Sequence, residues 1–393
     1  MQYRRFGRTE LQMPVFSCGG MRYQYKWQDL PLSEITEENQ RNLEATIHRS
    51  LEVGINHIET ARAYGTSEIQ LGQVLPKFDR DKLIVQTKVV PKEGVKQFRQ
   101  MFDRGLSLLN LDYVDLLGIH GINTPEILDN CLRPGGYLDE ARKLQSQGKV
   151  RFIGFSTHGP TDVIIKTIKT DCFDYVNLHW YYINQTNWAA IEAANKQDMG
   201  VFIISPSDKG GKLYAPPPKL VELCQPLSPI VFNNLFCLSH PQVNTLSVGA
   251  SCPQDFDEHL KTLSLLDNSS EILPKIINQL EQEAINILGE EWFKTWHIGL
   301  PKPEETPGNI NIKTILWLRN LALAYDLIDY ATMRYNLLGN GGHWFPGQNA
   351  KKVDQFDLKS CLINSPHQEK IPDFLQETHQ LLGGKSVQRL SQA

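Results

Sequence analysis

Short apolar runs alternate with amphipathic stretches from residue 15 to residue 250. Several of these runs carry no polar alternation, which is typical of strands that are covered on both faces. The pattern predicts eight strands, namely VFSCG (15–19), INHIET (55–60), LIVQTK (83–88), YVDLLGI (113–119), RFIGFS (151–156), YVNLH (175–179), VFIIS (201–205) and TLSVG (245–249).

The stretches between the predicted strands have helical spacing. Residues 37–54 predict an amphipathic helix that Gly54 closes, and residues 94–110 and 137–149 show the same spacing. Eight strand–helix units have the rhythm of a (β/α)8 TIM barrel, which is the predicted α/β fold. The alternative is an open doubly wound sheet. That fold normally carries a glycine-rich phosphate turn, and the sequence contains neither GxGxxG nor GxxxxGK[ST].

Two segments depart from the even spacing of the units. Residues 1–14 precede the first barrel strand and predict a small hairpin around Gly7-Arg8. The connection over residues 206–244 is long and rich in Pro and Gly, and connections of this length are usually functional or disordered.

The alternation of predicted strands and helices ends after about residue 262. Residues 271–296 and 312–338 predict two helices, and no strand is predicted between them. We therefore expect a barrel over residues 1–265 and an all-α C-terminal domain over residues 266–393.

The composition is that of a globular chain, with 41% hydrophobic and 21% charged residues. A net charge of −4 provides no strong field that would gather nucleic acid or anionic lipid, so we expect neither kind of partner. The basic residues of the N-terminus precede no apolar segment, which predicts a cytoplasmic protein without a signal peptide. The seven cysteines are scattered and form no CxxC, so we expect neither a disulfide framework nor a metal site.

Four ionisable side chains follow three consecutive predicted strands. Catalytic residues of a TIM barrel lie at the carboxyl ends of the strands, where we place Glu59, Tyr64, Lys88 and His120. Each residue by itself is more simply explained by packing or surface pairing, and only the joint placement favours a site.

These four side chains suit proton transfer by a phenol. A tyrosine ionises near pH 10, and the ammonium of Lys88 beside it favours the phenolate. A carboxylate at Glu59 orients the lysine, and His120 is placed to hydrogen-bond a substrate oxygen. Such a set donates a proton to a carbonyl oxygen as hydride reaches the carbon, and the hydride must come from a cofactor.

The same segments resemble the aldo-keto reductases. INHIETARAYGTSE (55–68) resembles the Asp-Thr-Ala-x-x-Tyr-Gly segment of that family, and QTKV (86–89) and LLGIHG (116–121) resemble its lysine and histidine segments. The opening MQYRRFGRTELQMPVFSCGGMR resembles its N-terminal hairpin, and the resemblance covers roughly residues 1–262. It implies that Tyr64 is the general acid, with Lys88 lowering its pKa and His120 orienting the carbonyl.

The resemblance also implies a nicotinamide dinucleotide, usually NADPH with NADH as the alternative, bound extended without a Rossmann fold. FIGFST (152–157) and LSVGASCPQDFDEHL (246–260) resemble the cofactor segments of the family. The cofactor-binding residues that it implies are Gly20, Met21, Ser156, Asn177, Ser205, Pro206, Lys209, Gly210, Gly249, Ser251, Asp255 and Glu258.

Four positions depart from the family pattern. The usual Asp is Glu59, which keeps the carboxylate on a longer side chain. The aromatic that stacks on nicotinamide falls at Ile204, and the usual Gln appears as Leu178 or is shifted to His179. The arginine for the 2′-phosphate aligns with Asp255, whose carboxylate repels a phosphate. We therefore expect a weaker preference for NADPH than is usual, and tighter NADPH binding in an Asp255→Arg variant.

The tail resembles the helical ferredoxin-like domain that follows the barrel in one branch of these proteins. TPGNINI (306–312) and CLINSPHQEKIP (361–372) resemble its cluster segments, but Thr306 and Ser365 stand where cysteine would precede proline. A [4Fe–4S] cluster takes four thiolates, and Cys361 is the single cysteine after residue 262. We therefore expect a degenerate domain without an iron–sulfur cluster.

The sequence favours an oxidoreductase that reduces an aldehyde or ketone, a small-molecule carbonyl substrate, with NAD(P)H. The departures at Glu59, Ile204 and Asp255 favour an alternative, a non-catalytic cofactor-binding barrel that acts as a redox-sensing or regulatory partner. A hydrolase or isomerase is a third hypothesis, weakened because no HExxH occurs.

The tail is expected to cap the barrel, and the alternative is a lid or docking surface with His343 and Trp344 near the mouth. No protein partner is identified by the sequence.

Overall fold

The computed structural model of the protein describes residues 1–339 and 346–384. The strands are β1 (Tyr3–Arg5), β2 (Gln12–Pro14), β3 (Phe16–Gly19), β4 (His57–Glu59), β5 (Ile84–Val89), β6 (Val114–His120), β7 (Val150–Ser156), β8 (Tyr175–Leu178), β9 (Gly200–Ile203) and β10 (Thr245–Val248). The α-helices are α1 (Glu37–Glu52), α2 (Ser67–Leu71), α3 (Val95–Leu109), α4 (Pro125–Leu132), α5 (Tyr137–Ser146), α6 (Thr161–Lys169), α7 (Trp188–Lys196), α8 (Pro218–Leu223), α9 (Pro229–Leu238), α10 (Asp255–Leu260), α11 (Ser269–Leu288), α12 (Glu290–Thr295), α13 (Ile312–Tyr325), α14 (Ile328–Leu337) and α15 (Ile371–Leu382).

Strands β3 to β10 form a closed parallel barrel in the order β10-β3-β4-β5-β6-β7-β8-β9. The predicted (β/α)8 barrel is confirmed, and each predicted strand falls on an observed strand. Ahead of the barrel, β1 and β2 pair antiparallel and are joined by a short turn over Gly7–Thr9. This is the hairpin that residues 1–14 predict.

The interior of the barrel is filled from its amino end by the hairpin. Phe6 and Met13 pack against buried residues of the strands, among them Leu116, Tyr175 and Phe202. Glycine supplies the space that Tyr175 needs, because a Cβ at Gly154 would lie 2.5 Å from the tyrosine ring. The lower barrel is therefore a packed core.

The chain divides into two compact units. The barrel unit comprises residues 1–210 and 230–269, and the second unit comprises residues 211–229 with the helices from residue 270 onward. The grouping of residues 211–229 with the helices is a feature that the hydrophobic pattern does not indicate.

The two long helices predicted for the tail are each broken, so that prediction is wrong in detail. Gly289 has a φ of 87° between α11 and α12, and Asp326 has a φ of 58° between α13 and α14. A residue in this left-handed region ends a helix, and glycine adopts it without the strain that a Cβ brings. The apolar spacing continues across both breaks, which is why the sequence pattern predicts continuous helices.

The helical unit has a core of its own. The helices α13, α14 and α15 pack on one another. The Trp292 indole donates a hydrogen bond to Asn320 Oδ1 at 2.9 Å and contacts the rings of His367 and Phe374. Among the residues described here, no helix is long and apolar enough to cross a membrane.

The barrel contains a buried carboxylate that ties three neighbouring strand regions together. Asp115 in β6 is fully buried and accepts a hydrogen bond from the Val85 backbone N–H at 2.9 Å. Its two oxygens also bind Arg80 at 2.7 Å and Arg151 at 2.6 Å. Loss of this carboxylate leaves a buried N–H and two cations without their partner.

We predict that Asp115→Ala lowers the free energy of unfolding by about 1 to 3 kcal/mol, the cost of leaving the buried Val85 N–H without its acceptor. Urea denaturation followed by circular dichroism measures this change. The matched control is Asp112→Ala at an exposed position, which is expected to stay within about 0.5 kcal/mol of wild type. Equal stability of the two variants would contradict the role given to Asp115.

Candidate active site

Three of the predicted site residues lie at the carboxyl ends of adjacent strands. Glu59 is the last residue of β4, Lys88 lies one residue from the end of β5, and His120 ends β6. Within the barrel β4 pairs with β5 and β5 pairs with β6, so the three side chains meet at one sector of the mouth. Tyr64 reaches the same sector from the loop that follows β4.

Lys88 and Glu59 form a buried ion pair. Lys88 Nζ contacts Glu59 Oε1, and the two residues are 2% and 3% exposed. Lys88 Nζ also donates a hydrogen bond to the Thr60 carbonyl at 2.8 Å. The longer glutamate side chain therefore reaches the lysine. Burial lowers the pKa of Lys88 well below that of an exposed lysine. In general, a carboxylate beside a lysine favours the charged form of the lysine.

A glycine on the neighbouring strand makes room for the lysine. Gly118 of β6 lies opposite Lys88 in the strand register. A Cβ at Gly118 would approach Lys88 Cγ to 2.9 Å, which is closer than real Cβ contacts. The stem of Lys88 is thus held by its neighbours, and its charged end is directed to Glu59.

Tyr64 lies over this ion pair. The centroid of its ring is 4.9 Å from Lys88 Nζ, and the ring of His120 stands edge-on to it with centroids 6.0 Å apart. Trp27 packs on Tyr64 in the same edge-on manner, also at 6.0 Å. Burial raises the pKa of Tyr64, so the phenol keeps its proton at neutral pH. Desolvation is the cause of this shift, and the lowering of the pKa that we expected from Lys88 is not found.

The loop that bears Tyr64 is fixed by a buried network that the sequence argument missed. Glu68 is fully buried and accepts hydrogen bonds from Thr87 at 2.7 Å and Arg62 at 2.6 Å. The Arg62 backbone N–H donates to the Lys88 carbonyl at 2.9 Å, which ties the loop to β5. Burial raises the pKa of Glu68, and its two partners oppose the shift. Arg62 pairs with Glu68 and Asp29, so it does not form a surface ion pair with Glu59.

Two polar side chains near this sector have buried atoms without a hydrogen-bond partner among the described residues. They are Nδ1 of His120 and both amide atoms of Asn177. Ser156 lies between them, in register with His120 on one side and Asn177 on the other. Buried polar atoms are rarely left unpaired, so their convergence fits a site that receives a polar ligand.

His120 is neutral at physiological pH. Burial lowers its pKa to about 3, and the charges of Lys88 and Lys209 add to the shift. A neutral imidazole donates one hydrogen bond and accepts another, and no proton is lost or gained near pH 7.

The loop after β9 contains four of the predicted cofactor residues. Ser205 has a φ of 54°, and its carbonyl accepts a hydrogen bond from the Lys209 backbone N–H at 2.9 Å. A Cβ at Gly210 would lie 1.9 Å from the Pro206 carbonyl oxygen, so the turn requires glycine there. The loop is therefore a tight turn whose backbone lies close to the mouth.

A histidine pair above the strands was not predicted as such. His158 and His179 are hydrogen-bonded and stacked with ring centroids 4.7 Å apart. Lys209 Nζ lies 3.3 Å from His179 Nε2, and the Tyr181 hydroxyl contacts His179 Nδ1. Sequence reasoning considered His179 only as a shifted glutamine, because the spacing along one strand does not reveal a partner on the next.

The remaining predicted cofactor residues lie after β3 and β10. The Gly20 backbone N–H donates to the Glu59 carbonyl at 2.8 Å, and Met21 beside it is partly exposed. Glu258 forms an ion pair with Lys261 at 2.6 Å. Ile204, which replaces the expected aromatic residue, is partly buried against the barrel core.

Asp255 faces its own loop. Its carboxylate accepts hydrogen bonds from Ser251 N at 2.7 Å and Ser251 Oγ at 2.8 Å, and it lies 3.4 Å from Arg22 Nη1. Burial raises the pKa of Asp255, but the bonds from Ser251 and the charge of Arg22 outweigh it, and the pKa lies below its usual value. The proximity of Arg22 was missed, because 233 positions separate it from Asp255.

The described residues contain no group of His, Cys, Asp and Glu that would hold a metal ion. In the helical unit, Thr306 Oγ1 donates to the Ile310 carbonyl at 2.9 Å, and Ser365 Oγ accepts from His367 N at 3.3 Å. The predicted positions His343 and Trp344 lie outside the described residues.

The first half of the barrel matches the model of a known protein family. Residues 16–164 match the family model described as "Aldo/keto reductase family". This segment of the chain is therefore similar to the aldo/keto reductase family. The matched residues include β3 to β7 and all four residues of the predicted catalytic set.

Individual relatives match parts of the chain. L-galactose dehydrogenase of Arabidopsis thaliana is 36% identical over 128 residues, which cover 30% of this chain and 39% of the relative. NADH-specific methylglyoxal reductase of Escherichia coli (strain K12) is 31% identical over 130 residues, which cover 28% of this chain and 39% of the relative. The chain thus spans well under two thirds of the length of these curated relatives.

Solved structures of aldo-keto reductases share the barrel. The holo form of an aldo-keto reductase from Bacillus halodurans superposes with a TM-score of 0.59 at 20% identity, covering 71% of this chain and 96% of the other. An aldo-keto reductase from Klebsiella pneumoniae in complex with NADPH gives 0.55 at 15% identity, covering 70% and 95%. At these identities the likeness establishes the fold.

The neutral state of His120 leads to a prediction on pH. In the unfolded chain the pKa of His120 has its usual value of 6.5, whereas in the folded chain this pKa is about 3. Above about pH 6.5 the imidazole is neutral in both the folded and the unfolded chain and costs no stability. As the pH falls from about 6.5 towards 3, the unfolded chain takes up a proton that the folded chain does not, so the folded state loses stability.

We predict that the ring resonance of His120 shows no titration between pH 5 and pH 8 in an NMR pH series. His120→Asn assigns the resonance, and the urea-unfolded chain, expected to titrate near pH 6.5, is the control. A midpoint near 6.5 in the folded protein would rule out the buried, neutral histidine.

Proposed function

We propose that this chain is an NAD(P)H-dependent oxidoreductase that reduces an aldehyde or ketone, with Tyr64 as the general acid. The observation that carries this proposal is the buried pair of Lys88 and Glu59 beneath the ring of Tyr64, next to a neutral His120. A buried cation below a protonated phenol is the arrangement that proton donation to a carbonyl oxygen requires.

The chain's own residues divide the chemistry between them. Tyr64 holds the proton and releases it to the substrate oxygen as negative charge develops there. The ammonium of Lys88 stabilises the phenolate that remains, and Glu59 keeps the lysine charged and oriented. The neutral His120 donates a hydrogen bond that orients the carbonyl oxygen. When bound, the reduced nicotinamide supplies the hydride.

The cofactor residues that we propose form three groups along the mouth. Ser156 and Asn177 would hold the polar end of the nicotinamide, which agrees with the unpaired amide atoms of Asn177. The turn over residues 205–210 would approach the diphosphate, and residues 249–258 the adenosine end. We propose NADPH as the cofactor with NADH as the alternative, since one relative is named NADH-specific and one neighbour was solved with NADPH.

The substrate that we propose is a small carbonyl compound, the class named by the methylglyoxal reductases among the relatives. We further propose a cytoplasmic protein that binds neither nucleic acid nor membrane, in keeping with its net charge of −4.

For the tail, over residues 266–393, we propose a ferredoxin-like origin with lost clusters. The sequence supports the loss, because Thr306 and Ser365 stand where the resembled domain has cysteine and Cys361 is the single cysteine after residue 262.

We predict that Tyr64→Phe lowers the rate of carbonyl reduction by about 10²-fold or more, since the ring remains but the proton is gone. NADPH affinity is expected to stay unchanged. Lys88→Met is expected to lose activity as well, because the phenolate loses its stabilising charge. Cofactor oxidation with a panel of aldehydes and ketones, followed at 340 nm, measures turnover.

The control for the phenol is Tyr3→Phe on the exposed hairpin, which is expected to retain wild-type turnover. Wild-type activity in Tyr64→Phe would refute the general acid. Cofactor binding by wild type without turnover on any carbonyl would favour the regulatory, non-catalytic barrel.

A further inference from the structure

A segment of the loop after β3 lies directly on the loop that carries Tyr64. The segment comprises residues 24–29, and Tyr64 follows the neighbouring strand β4. Gly65 allows the close approach, because a Cβ there would lie 2.0 Å from the Lys26 carbonyl oxygen. Its φ of 51° also lies in the left-handed region that favours glycine. At this contact the ring of Trp27 packs edge-on against the ring of Tyr64.

The segment is attached by Thr66 on the amino side of Trp27. Thr66 Oγ1 accepts hydrogen bonds from the backbone N–H groups of Tyr25 at 3.0 Å and Lys26 at 3.1 Å. The Thr66 backbone N–H donates to the Lys26 carbonyl at 3.0 Å. Thr66 is fully buried, so these bonds are shielded from water. They hold the chain where it enters Trp27.

The attachment on the carboxyl side of Trp27 is ionic. Arg62 Nη2 binds Asp29 Oδ1, and Arg62 Nη1 binds Glu68 Oε2 at 2.6 Å. The side chain of Glu68 is fully buried and that of Arg62 is 9% exposed, whereas that of Asp29 is 40% exposed. Thr87 holds the other oxygen of Glu68 at 2.7 Å. One guanidinium therefore joins Asp29 to a carboxylate that is itself held in place.

We propose that Asp29 is a positioning residue for the general acid, because its bond to Arg62 holds Trp27 against the ring of Tyr64. This inference rests on the proposed role of Tyr64 in carbonyl reduction. Small displacements of a catalytic group are costly to the rate, since reaction requires a narrow range of distances and angles. With Trp27 attached on both sides, the movement of the phenol over Lys88 is limited.

A second partner of Asp29 supplies the matched control. Asp29 Oδ2 lies 3.3 Å from Arg104 Nη2, and the Arg104 side chain is 61% exposed. Arg104→Met removes a cation from the same carboxylate and leaves the bond to Arg62 in place. Arg62→Met is unsuitable as the test variant, because it leaves the buried carboxylate of Glu68 without its cation and so destabilises the fold.

The first measurement is kcat and KM for methylglyoxal at saturating NADPH. If wild type does not reduce methylglyoxal, the most active compound of the aldehyde and ketone panel replaces it. Asp29→Ala is expected to lower kcat about fivefold, the most that a partly exposed ion pair contributes, and Arg104→Met to stay within about twofold of wild type. NADPH affinity, measured by tryptophan fluorescence, should be unchanged in both variants. Urea denaturation confirms that the compared proteins are folded.

A double-mutant cycle on kcat tests whether Asp29 acts through Trp27. Trp27→Ala is expected to lower kcat by itself, because the phenol loses the ring that packs on it. Adding Asp29→Ala to Trp27→Ala should then change kcat by less than about twofold, since no indole remains to be held. A role of Asp29 in stability alone would not produce this coupling, because its effect would be the same in both backgrounds.

An unchanged kcat in Asp29→Ala or in Trp27→Ala would overturn the proposal. Equal losses on adding Asp29→Ala to wild type and to Trp27→Ala would overturn it as well, and so would a loss in Arg104→Met as large as that in Asp29→Ala. These results leave the general acid intact. A wild type without turnover on any carbonyl instead refutes the proposed function, and the inference with it.

Discussion

The site depends on one buried ion pair, that of Lys88 and Glu59. Two charges inside a barrel are costly unless they are paired and hydrogen-bonded, and here the lysine has both Glu59 and the Thr60 carbonyl. Gly118 leaves the space through which the lysine reaches its partner. Tyr64 and His120 pack around this pair, and the charge of Lys88 adds to burial in lowering the pKa of His120.

The sequence was sufficient for the barrel because its pattern is repeated. Eight apolar runs separated by helical stretches admit few folds, and the hairpin at Gly7 was visible as a separate short segment. The convergence of Glu59, Lys88 and His120 followed from topology, since neighbouring parallel strands end at the same edge. The breaks at Gly289 and Asp326 were missed because the apolar spacing continues through them.

Contacts between distant positions were not accessible to the same reasoning. Arg22 and Asp255 lie on loops that come together only because the barrel closes. A motif comparison that matches one position at a time therefore treats Asp255 as a substitution without a partner. Glu68 was overlooked because its burial depends on Thr87 and Arg62 in three dimensions. The pKa of Tyr64 was also misjudged, because the sequence names the neighbouring charge but does not give the degree of burial.

The most direct test of this account is a double-mutant cycle on the ion pair, with Glu59→Gln, Lys88→Met and both together, measured by the free energy of unfolding in urea. Each single change leaves one buried charge without its partner, whereas the double change removes both charges. The account predicts that the two effects are coupled by about 2 kcal/mol or more, with the double variant more stable than the sum of the single losses implies. Additive losses, within about 0.5 kcal/mol, would show that the two residues do not form the pair on which the site depends.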